Sequence, residues 1–208
     1  MLERLATFFF RLFFPSALWR VRNVDNAIFL TFDDGPTREA TDFVLAELAK
    51  HQAKATFFCI GDNVRKNQDV YQKVLAAGHA VGNHTYHHKN GWKTSYDDYL
   101  SDVARCRETI NSTLFRPPYG RLTWRQFQGL KKSYRLVMWD VLSYDFKLDM
   151  TANVCIERVL LAAKPGSIIV FHDSEKCFPL LKQVLPTILA AFHEKGWQML
   201  SLPDRVHA

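Results

Sequence analysis

Short apolar runs and longer amphipathic runs alternate along most of this chain. The apolar runs are rich in β-branched and aromatic residues, which is typical of buried strands; they cover 28–32, 55–59, 80–82, 114–115, 136–139, 167–171 and 197–200. Between most of them lie runs whose apolar residues have helical spacing, at 39–51, 68–77, 96–112, 123–132, 151–163 and 179–195. Strand–helix alternation predicts a parallel sheet with crossover helices. We therefore expect an α/β fold, a small and distorted (β/α)7-type barrel.

Composition and charge narrow the class of protein. The chain has 208 residues, of which 48% are hydrophobic and 23% charged, and this composition suits one globular domain with a full core. The net charge of +6 favours an anionic partner, but the basic residues are scattered and form no nucleic-acid-binding motif. We expect no nucleic-acid partner, and the sequence indicates no oligomeric state. The absence of repeats and linkers predicts one domain over 23–208, preceded by an N-terminal segment at 1–22.

The N-terminal segment is apolar, rich in Phe and interrupted by Arg4 and Arg11. Its apolar runs fall short of the roughly 18 residues that a membrane-spanning helix needs. It also lacks the core and cleavage site of a plain signal peptide. Two interpretations remain open: a short helix that caps the barrel, or an interfacial anchor that gives peripheral membrane association through residues 1–20. The expected location is cytoplasmic or associated with the inner membrane.

The four cysteines, Cys59, Cys106, Cys155 and Cys177, form no CxxC motif. Three of them fall inside predicted strands or helices, which suits reduced, buried thiols better than a disulfide framework or a structural zinc site. We therefore expect free thiols and a reducing compartment.

Charged and polar groups follow directly after most of the predicted strands. These groups are Asp33, Asp34, His84, His88, Arg116, Asp140, Asp145, His172 and Asp173. In parallel α/β barrels the active site lies at the carboxyl ends of the strands, which share one rim. The sequence therefore predicts that these side chains converge on one site.

A metal site is the first chemistry that this rim predicts. His84 and His88 are four residues apart, so on a helical turn both imidazoles would point the same way and share one cation. Asp34 would complete a set that leaves coordination positions for water and substrate. His87 could compete for the role but would face away. Taken alone, the histidines could equally be ordinary surface residues of a polar loop.

The adjacent carboxylates of Asp33 and Asp34 would repel each other, which favours a division of labour between a base and a metal ligand. Arg116 could hold Asp33 ionised and aimed through a charge-assisted pair. The backbone N–H of Tyr119, in the turn that follows, could face a developing oxyanion.

A second pair of catalytic groups, Asp145 and His172, is predicted after the strands over 136–139 and 167–171. A carboxylate partner such as Asp145 would raise the pKa of His172 and fix one tautomer, as a general acid requires. The neighbouring Asp173 is better explained by a structural role.

Four segments carry a resemblance to a known family, and they occur in that family's order. The segments are 31–36 (Thr-Phe-Asp-Asp-Gly-Pro), 84–88 (His-Thr-Tyr-His-His), 116–120 (Arg-Pro-Pro-Tyr-Gly) and 171–173 (Phe-His-Asp). Together they resemble the motifs of the polysaccharide deacetylase family, also called the NodB-homology group or carbohydrate esterase family 4. The resemblance covers roughly residues 28 to 200.

This resemblance implies a fold and a set of roles. It implies a distorted barrel and one divalent metal ion, Zn²⁺ with Co²⁺ or Ni²⁺ as alternatives, held by Asp34, His84 and His88. It also implies that Asp33 is the base and His172 the acid. Arg116 and Asp145 would then complete the catalytic set.

The chain departs from the family pattern around the substrate. Leu142 stands where the family often has Asp, Phe146 where it often has Trp, and Val170 where it often has Leu. These changes leave an apolar pocket, so they bear on substrate shape. The residues expected to contact substrate are Tyr119, Pro118, Phe146, Val170 and Trp139.

The function that follows is metal-dependent removal of N-acetyl groups from an amino-sugar glycan, with release of acetate. Peptidoglycan, a chitin-like oligomer and another N-acetylglucosamine-containing glycan all fit. Two alternatives stay open: an O-acetyl esterase on a xylan-like polysaccharide, and a catalytically silent glycan-binding module.

Overall fold

The computed structural model describes residues 13–203 of the chain. The strands of this region, in chain order, are β1 (Ala27–Asp33), β2 (Ala55–Cys59), β3 (Ala80–Asn83), β4 (Leu114–Phe115), β5 (Arg135–Leu136), β6 (Val141–Leu142), β7 (Ile168–His172) and β8 (Gln198–Met199). Their order in the sheet is β5-β4-β3-β2-β1-β7-β6, with β8 also paired to β1. Each of these pairings is parallel.

Helices connect most of these parallel strands. They are α1 (Arg38–Lys50), α2 (Gly61–Lys66), α3 (Gln68–Ala76), α4 (Tyr96–Arg107), α5 (Trp124–Leu130), α6 (Ala152–Ala162) and α7 (Phe178–Glu194). The buried residues of α7 recur every three or four positions, at Leu181, Val184, Leu185, Ile188, Leu189 and Phe192. This spacing places one apolar stripe of the helix against the core.

The segment between β5 and β6 joins the two edges of the curled sheet. Val137 donates its N–H to Phe115 of β4, whereas Asp140 donates its N–H to Ile168 of β7. The chain therefore crosses from one edge of the sheet to the other within a few residues. This geometry confirms the predicted distorted barrel of parallel strands.

The core forms around β1, which is buried along its whole length. Phe32 stacks on Phe57 of β2 at 5.2 Å and on Phe171 of β7 at 5.9 Å between ring centroids. Strands buried on both faces require apolar side chains at successive positions, which explains the continuous apolar run in the sequence. The four cysteines are free and buried, as predicted.

Three elements differ from the prediction. α4 ends at Arg107 rather than at residue 112. The Ser112 hydroxyl accepts a hydrogen bond from the N–H of Leu114, a local contact that competes with helix formation. The predicted strand over 136–139 is replaced by β5, which ends at Leu136, and β6, which begins at Val141, because the chain changes its partner strand between them. The short helix α2 was not predicted, since six residues show no helical repeat.

Part of the predicted N-terminal segment packs as part of the barrel. Phe14 and Trp19 are buried, and Leu18 forms a parallel bridge with Val137. The cap-helix and anchor interpretations of residues 1–12 lie outside the described residues. Within residues 13–203, none of the helices has the length and apolarity required to cross a membrane.

Candidate active site

The carboxyl ends of the strands border one cavity of about 340 Å³. Because the strands are parallel, Asp33 at the end of β1, His84 after β3 and His172 at the end of β7 share one rim. Nine of the predicted site residues line the cavity: Asp33, Asp34, His84, His88, Tyr119, Trp139, Phe146, Val170 and His172. Arg116 and Asp145 lie behind this lining, and each supports one of its members.

Asp34, His84 and His88 form a compact group whose metal-ligating atoms all lie within 4.8 Å of one another. Asp34 Oδ1 is buried without a hydrogen bond, 3.0 Å from His88 Nε2 and 3.5 Å from His84 Nε2. An orphaned carboxylate oxygen between two imidazole nitrogens is a donor set that suits a divalent cation. Burial alone would raise the pKa of Asp34, but the two imidazoles outweigh it and hold that pKa well below its ordinary value. The residues fit a metal ion.

The tautomer of His84 is set by a backbone contact. His84 Nδ1 lies 2.8 Å from the carbonyl oxygen of Arg116, so this nitrogen donates and Nε2 is free to act as a ligand. A carbonyl partner of this kind orients a metal-binding imidazole. Arg116 therefore contacts both His84, through its carbonyl oxygen, and Asp33, through its guanidinium.

The two histidines lie on an irregular loop, and the predicted helical turn is absent there. Thr85 and His88 adopt positive φ angles of 62° and 55°, which bring the two rings within 5.1 Å. Asp102 of α4 fastens this loop by accepting the N–H groups of Tyr86 and His87 at 2.8 and 2.9 Å. This role of Asp102 could not be predicted from the sequence, since a single Asp in a helix is usually solvated.

His87 points away from the metal group. Its Nδ1 lies 2.5 Å from Asp102 Oδ1, on the side of the loop that faces α4. The expectation that His87 faces away agrees with this arrangement, which leaves His84 and His88 as the pair that faces Asp34.

Arg116 is fully buried in the barrel and holds Asp33. Its Nη1 donates to Asp33 Oδ1 at 2.6 Å and to Thr31 Oγ1 at 2.8 Å. Its Nη2 donates to the carbonyl oxygen of Met138 at 3.0 Å, and the guanidinium lies 4.1 Å above the Phe58 ring. A charge-assisted bond of this length fixes the carboxylate in one orientation. Asp33 also lines the cavity, and Arg116 engages only its Oδ1.

His172 is paired with Asp145, as predicted from the strand ends. His172 Nδ1 lies 2.7 Å from Asp145 Oδ1, and Asp145 Oδ2 accepts the backbone N–H of His172 at 2.8 Å. Burial would lower the pKa of His172, but Asp145 outweighs it, with smaller help from Asp34 and Asp33, and raises that pKa to about 9. Ser143 donates its hydroxyl to Asp145 Oδ1 at 2.9 Å, a contact that sequence reasoning missed.

Asp173 has a structural position beneath the first motif. It is fully buried, accepts the N–H of Gly35 at 3.1 Å and accepts the Thr41 hydroxyl at 2.6 Å. Burial is the main reason that the pKa of Asp173 rises to about 7. A Cβ at Gly35 would lie 2.0 Å from Asp173 Oδ2, so this turn requires glycine.

The Pro-Pro-Tyr-Gly turn forms one wall of the cavity. Tyr119 has a φ of 61° and packs its ring 4.6 Å from that of His88. A Cβ at Gly120 would lie 2.6 Å from Trp139, so the turn and that indole fit together only around glycine. Pro117, and not the predicted Pro118, lines the cavity. Pro117 is extended, and successive residues of an extended chain face opposite sides.

The rest of the wall is largely apolar. Phe146 packs edge-on against His172 with ring centroids 5.2 Å apart. Leu142 and Val170 complete the apolar side. Sequence reasoning did not anticipate Ser174, Lys176 and Cys177, which lie after β7 and also line the cavity. They follow the His-Asp motif in a turn that has no periodic pattern.

Backbone strain concentrates at this site. Asp34, His88 and Tyr119 line the cavity and all have positive φ angles, of 79°, 55° and 61°. Left-handed conformations are unfavourable for residues with a Cβ and are retained mainly where the surroundings impose them. The surrounding structure therefore holds these three residues in conformations that are unfavourable by themselves.

Comparison with known proteins agrees with this geometry. The polysaccharide deacetylase family model matches residues 20–134. A peptidoglycan-N-acetylglucosamine deacetylase of Bacillus cereus is 32% identical over 84% of this chain and 66% of its own length. A chitooligosaccharide deacetylase of Rhizobium leguminosarum bv. trifolii is 30% identical over 86% of this chain and 92% of its own length. The chain spans 38% of a Listeria monocytogenes relative, which is 29% identical over 85% of this chain and is also a peptidoglycan-N-acetylglucosamine deacetylase.

A solved structure gives the same result. The crystal structure of the Bc1960 peptidoglycan N-acetylglucosamine deacetylase superposes with a TM-score of 0.83, at 30% identity and 90% coverage of both chains. The barrel, the motif order and these matches agree, and the chain belongs to the polysaccharide deacetylase family.

Proposed function

We propose that this protein is a metal-dependent hydrolase that removes N-acetyl groups from an amino-sugar glycan and releases acetate. One observation carries the proposal: a metal-ligand group, an arginine-held carboxylate and an aspartate-paired histidine line a single cavity. The relatives named above, which act on peptidoglycan or chitooligosaccharide according to their names, support the choice of substrate class.

The proposed metal ion is zinc, and Asp34, His84 and His88 would hold it. Two imidazoles and one carboxylate are a ligand set of catalytic zinc sites. When bound, zinc supplies Lewis acidity toward the amide carbonyl and lowers the pKa of a water molecule.

Asp33 is the proposed general base. Arg116 occupies Asp33 Oδ1 and leaves Oδ2 to take a proton from the attacking water. Because Arg116 is fully buried and bonded to Thr31 and Met138 as well, the carboxylate cannot swing away from the cavity. The base is thus positioned before substrate arrives, which lowers the cost of reaching the transition state.

His172 is the proposed general acid. Asp145 raises the pKa of the His172 imidazole to about 9, so the ring is protonated at neutral pH. Nε2 then carries a proton that it can give to the departing amine. An amine leaving group needs that proton, whereas the alcohol of an O-acetyl ester needs it less. A large loss of activity on replacement of His172 would therefore favour an amide substrate over an ester.

The remaining wall residues would bind the substrate. Phe146, Val170 and Leu142 form an apolar surface suited to the acetyl methyl group, and Trp139 and Tyr119 offer rings to the sugar. The backbone N–H of Tyr119 is the proposed donor to the tetrahedral oxyanion.

The test is acetate release from N-acetylated and O-acetylated glycans by metal-stripped protein, with and without added zinc. We expect zinc-dependent release from an N-acetylglucosamine oligomer, lost in Asp33→Asn. Asp140→Asn is the matched control, because Asp140 is also a carboxylate near the strand ends but accepts the Ser167 hydroxyl and does not line the cavity. Release from O-acetylxylan alone would favour the esterase, and zinc binding without release from any glycan would favour the silent module.

A further inference from the structure

An exposed tryptophan follows the loop of His84 and His88 in the chain and has no part in the proposed chemistry. Trp92 is 54% exposed and sits in a single 3-10 turn, Gly91–Lys93, four residues after the metal-binding His88. Exposed aromatic side chains at the edge of a ligand cavity commonly mark a binding surface.

Trp92 is held rigidly in spite of its exposure. Its indole N–H donates to the carbonyl oxygen of Leu122 at 3.3 Å, and its backbone N–H donates to the Asn90 side chain at 3.0 Å. Gln126 of α5 donates to the carbonyl oxygens of Gly91 and Thr94, before and after Trp92 in the chain, at 3.0 and 3.2 Å. A side chain fixed in this way loses little conformational entropy when it binds a ligand.

Arg121 joins Trp92 to the cavity wall. Its guanidinium carbon lies 5.0 Å from the centroid of the Trp92 ring. Arg121 follows the cavity-lining Tyr119 by two residues, so their Cα atoms are at most about 7 Å apart. Tyr119 is itself 60% exposed. Tyr119, which lines the cavity, is thus linked through Arg121 to the exposed ring of Trp92. We call Tyr119, Arg121 and Trp92 together the aromatic shelf.

The cavity is too small to enclose a polymer. Its volume of about 340 Å³ is near the lower limit of small-molecule sites. A glycan whose acetyl group enters this cavity must therefore continue over the surrounding surface. Pyranose rings present apolar C–H faces that pack on aromatic rings, and their hydroxyl groups accept hydrogen bonds from a guanidinium. The aromatic shelf offers both kinds of contact.

We propose that the aromatic shelf of Tyr119, Arg121 and Trp92 binds sugar residues of the substrate glycan that lie outside the catalytic cavity. The proposal rests on the proposed function and extends it to substrate length: oligomers long enough to reach Trp92 are bound more tightly than short ones. Trp92 is then a specificity residue that contacts substrate without contacting the reacting amide.

The test compares the binding of two probes, the N-acetylglucosamine hexamer and dimer, by titration calorimetry. All proteins are the zinc-loaded full chain with Asp33→Asn, so that the probes are not turned over. We expect Trp92→Ala to weaken hexamer binding by roughly two- to tenfold, the range for loss of one aromatic contact. Dimer binding should be unchanged, and Trp92→Phe should retain most of the hexamer affinity. Trp124→Ala is the matched control, because Trp124 is 56% exposed but packs on Phe127.

The outcomes separate this inference from the proposed function. Equal weakening of hexamer and dimer binding in Trp92→Ala would mean that Trp92 merely supports the His88 loop, and would overturn the inference. Unchanged hexamer binding in Trp92→Ala would also overturn it. So would an equal loss of hexamer binding in Trp124→Ala. Absence of hexamer binding in the parent protein would also overturn it. Acetate release is measured separately with the native Asp33. A hexamer affinity that depends on Trp92 without any acetate release would sustain the aromatic shelf and refute the deacetylase.

Discussion

Replacing Asp145 by Asn tests whether His172 acts as the general acid in its protonated form. Asparagine keeps the size of the side chain and one acceptor oxygen, but it removes the charge that lies 2.7 Å from His172 Nδ1. The burial that disfavours the imidazolium remains. We therefore expect the pKa of His172 to fall from about 9 toward the ordinary value of a histidine.

The size of the effect follows from the fraction of protonated imidazole. With a pKa of about 9, roughly nine-tenths of His172 is protonated at about pH 8. With an ordinary pKa of about 6.5, the protonated fraction at that pH is roughly 3%. The rate should then fall by about thirtyfold at about pH 8, with far smaller loss at about pH 5.5, where both proteins are protonated.

The assay is the pH profile of kcat for acetate release by the zinc-loaded enzyme. The alkaline limb should lie near pH 9 in the native protein and should move to lower pH by about two and a half units in Asp145→Asn. Ser143→Ala is the control, because it removes the hydroxyl that bonds to Asp145 and retains the charge. An alkaline limb that stays in place while kcat falls equally at every pH would refute the reasoning, since it would assign Asp145 a purely geometric role.

Three further predictions concern stability. Gly35→Ala places a Cβ 2.0 Å from Asp173 Oδ2 and should lower Tm far more than Gly196→Ala, whose Cβ has no neighbour within 4 Å; equal shifts would contradict the packing argument. Arg116→Met leaves Asp33 buried and unpaired and should cost about 3–5 kcal/mol in urea unfolding, with part regained in Arg116→Met/Asp33→Asn; no recovery in the double variant would assign the loss to packing. Burial raises the pKa of Asp173 to about 7, so its contribution to stability is complete below about pH 4 and is lost as the pH rises through about 7. Asp173→Asn should therefore reduce the fall in the urea midpoint between about pH 5 and about pH 8, and an unchanged fall would place the titration elsewhere.

The sequence predicts most of the barrel because long elements carry periodic patterns. The helix α7 and the strand β1 show the repeats that their burial requires. The elements that were missed or misplaced are short. The helix α2 and the strand β6 have six and two residues, and tertiary contacts rather than a local pattern fix them. The segment over 137–140 illustrates this, since its change of partner strand depends on barrel closure.

The candidate site was predictable to the extent that its residues follow strands directly. Asp33, His84 and His172 could be placed on one rim from chain order alone, because parallel strands put their carboxyl ends together. Asp102 and Ser143 could not, since both act through contacts that only the folded chain makes. Asp102 bonds to Tyr86 and His87, and Ser143 bonds to Asp145.

The adjacent carboxylates at the end of β1 show how the backbone resolves the conflict between two like charges. Asp33 keeps the strand conformation and turns into the barrel, where the guanidinium of Arg116 neutralises it. Asp34 adopts a φ of 79° and turns to the rim, where His84 and His88 surround its Oδ1. That change of direction requires the turn at Gly35, which Asp173 fastens through the N–H of Gly35. The two neighbouring aspartates can thus hold different partners because the strained backbone of Asp34 directs its side chain away from that of Asp33. The buried Asp173 supports this arrangement by holding the turn at Gly35.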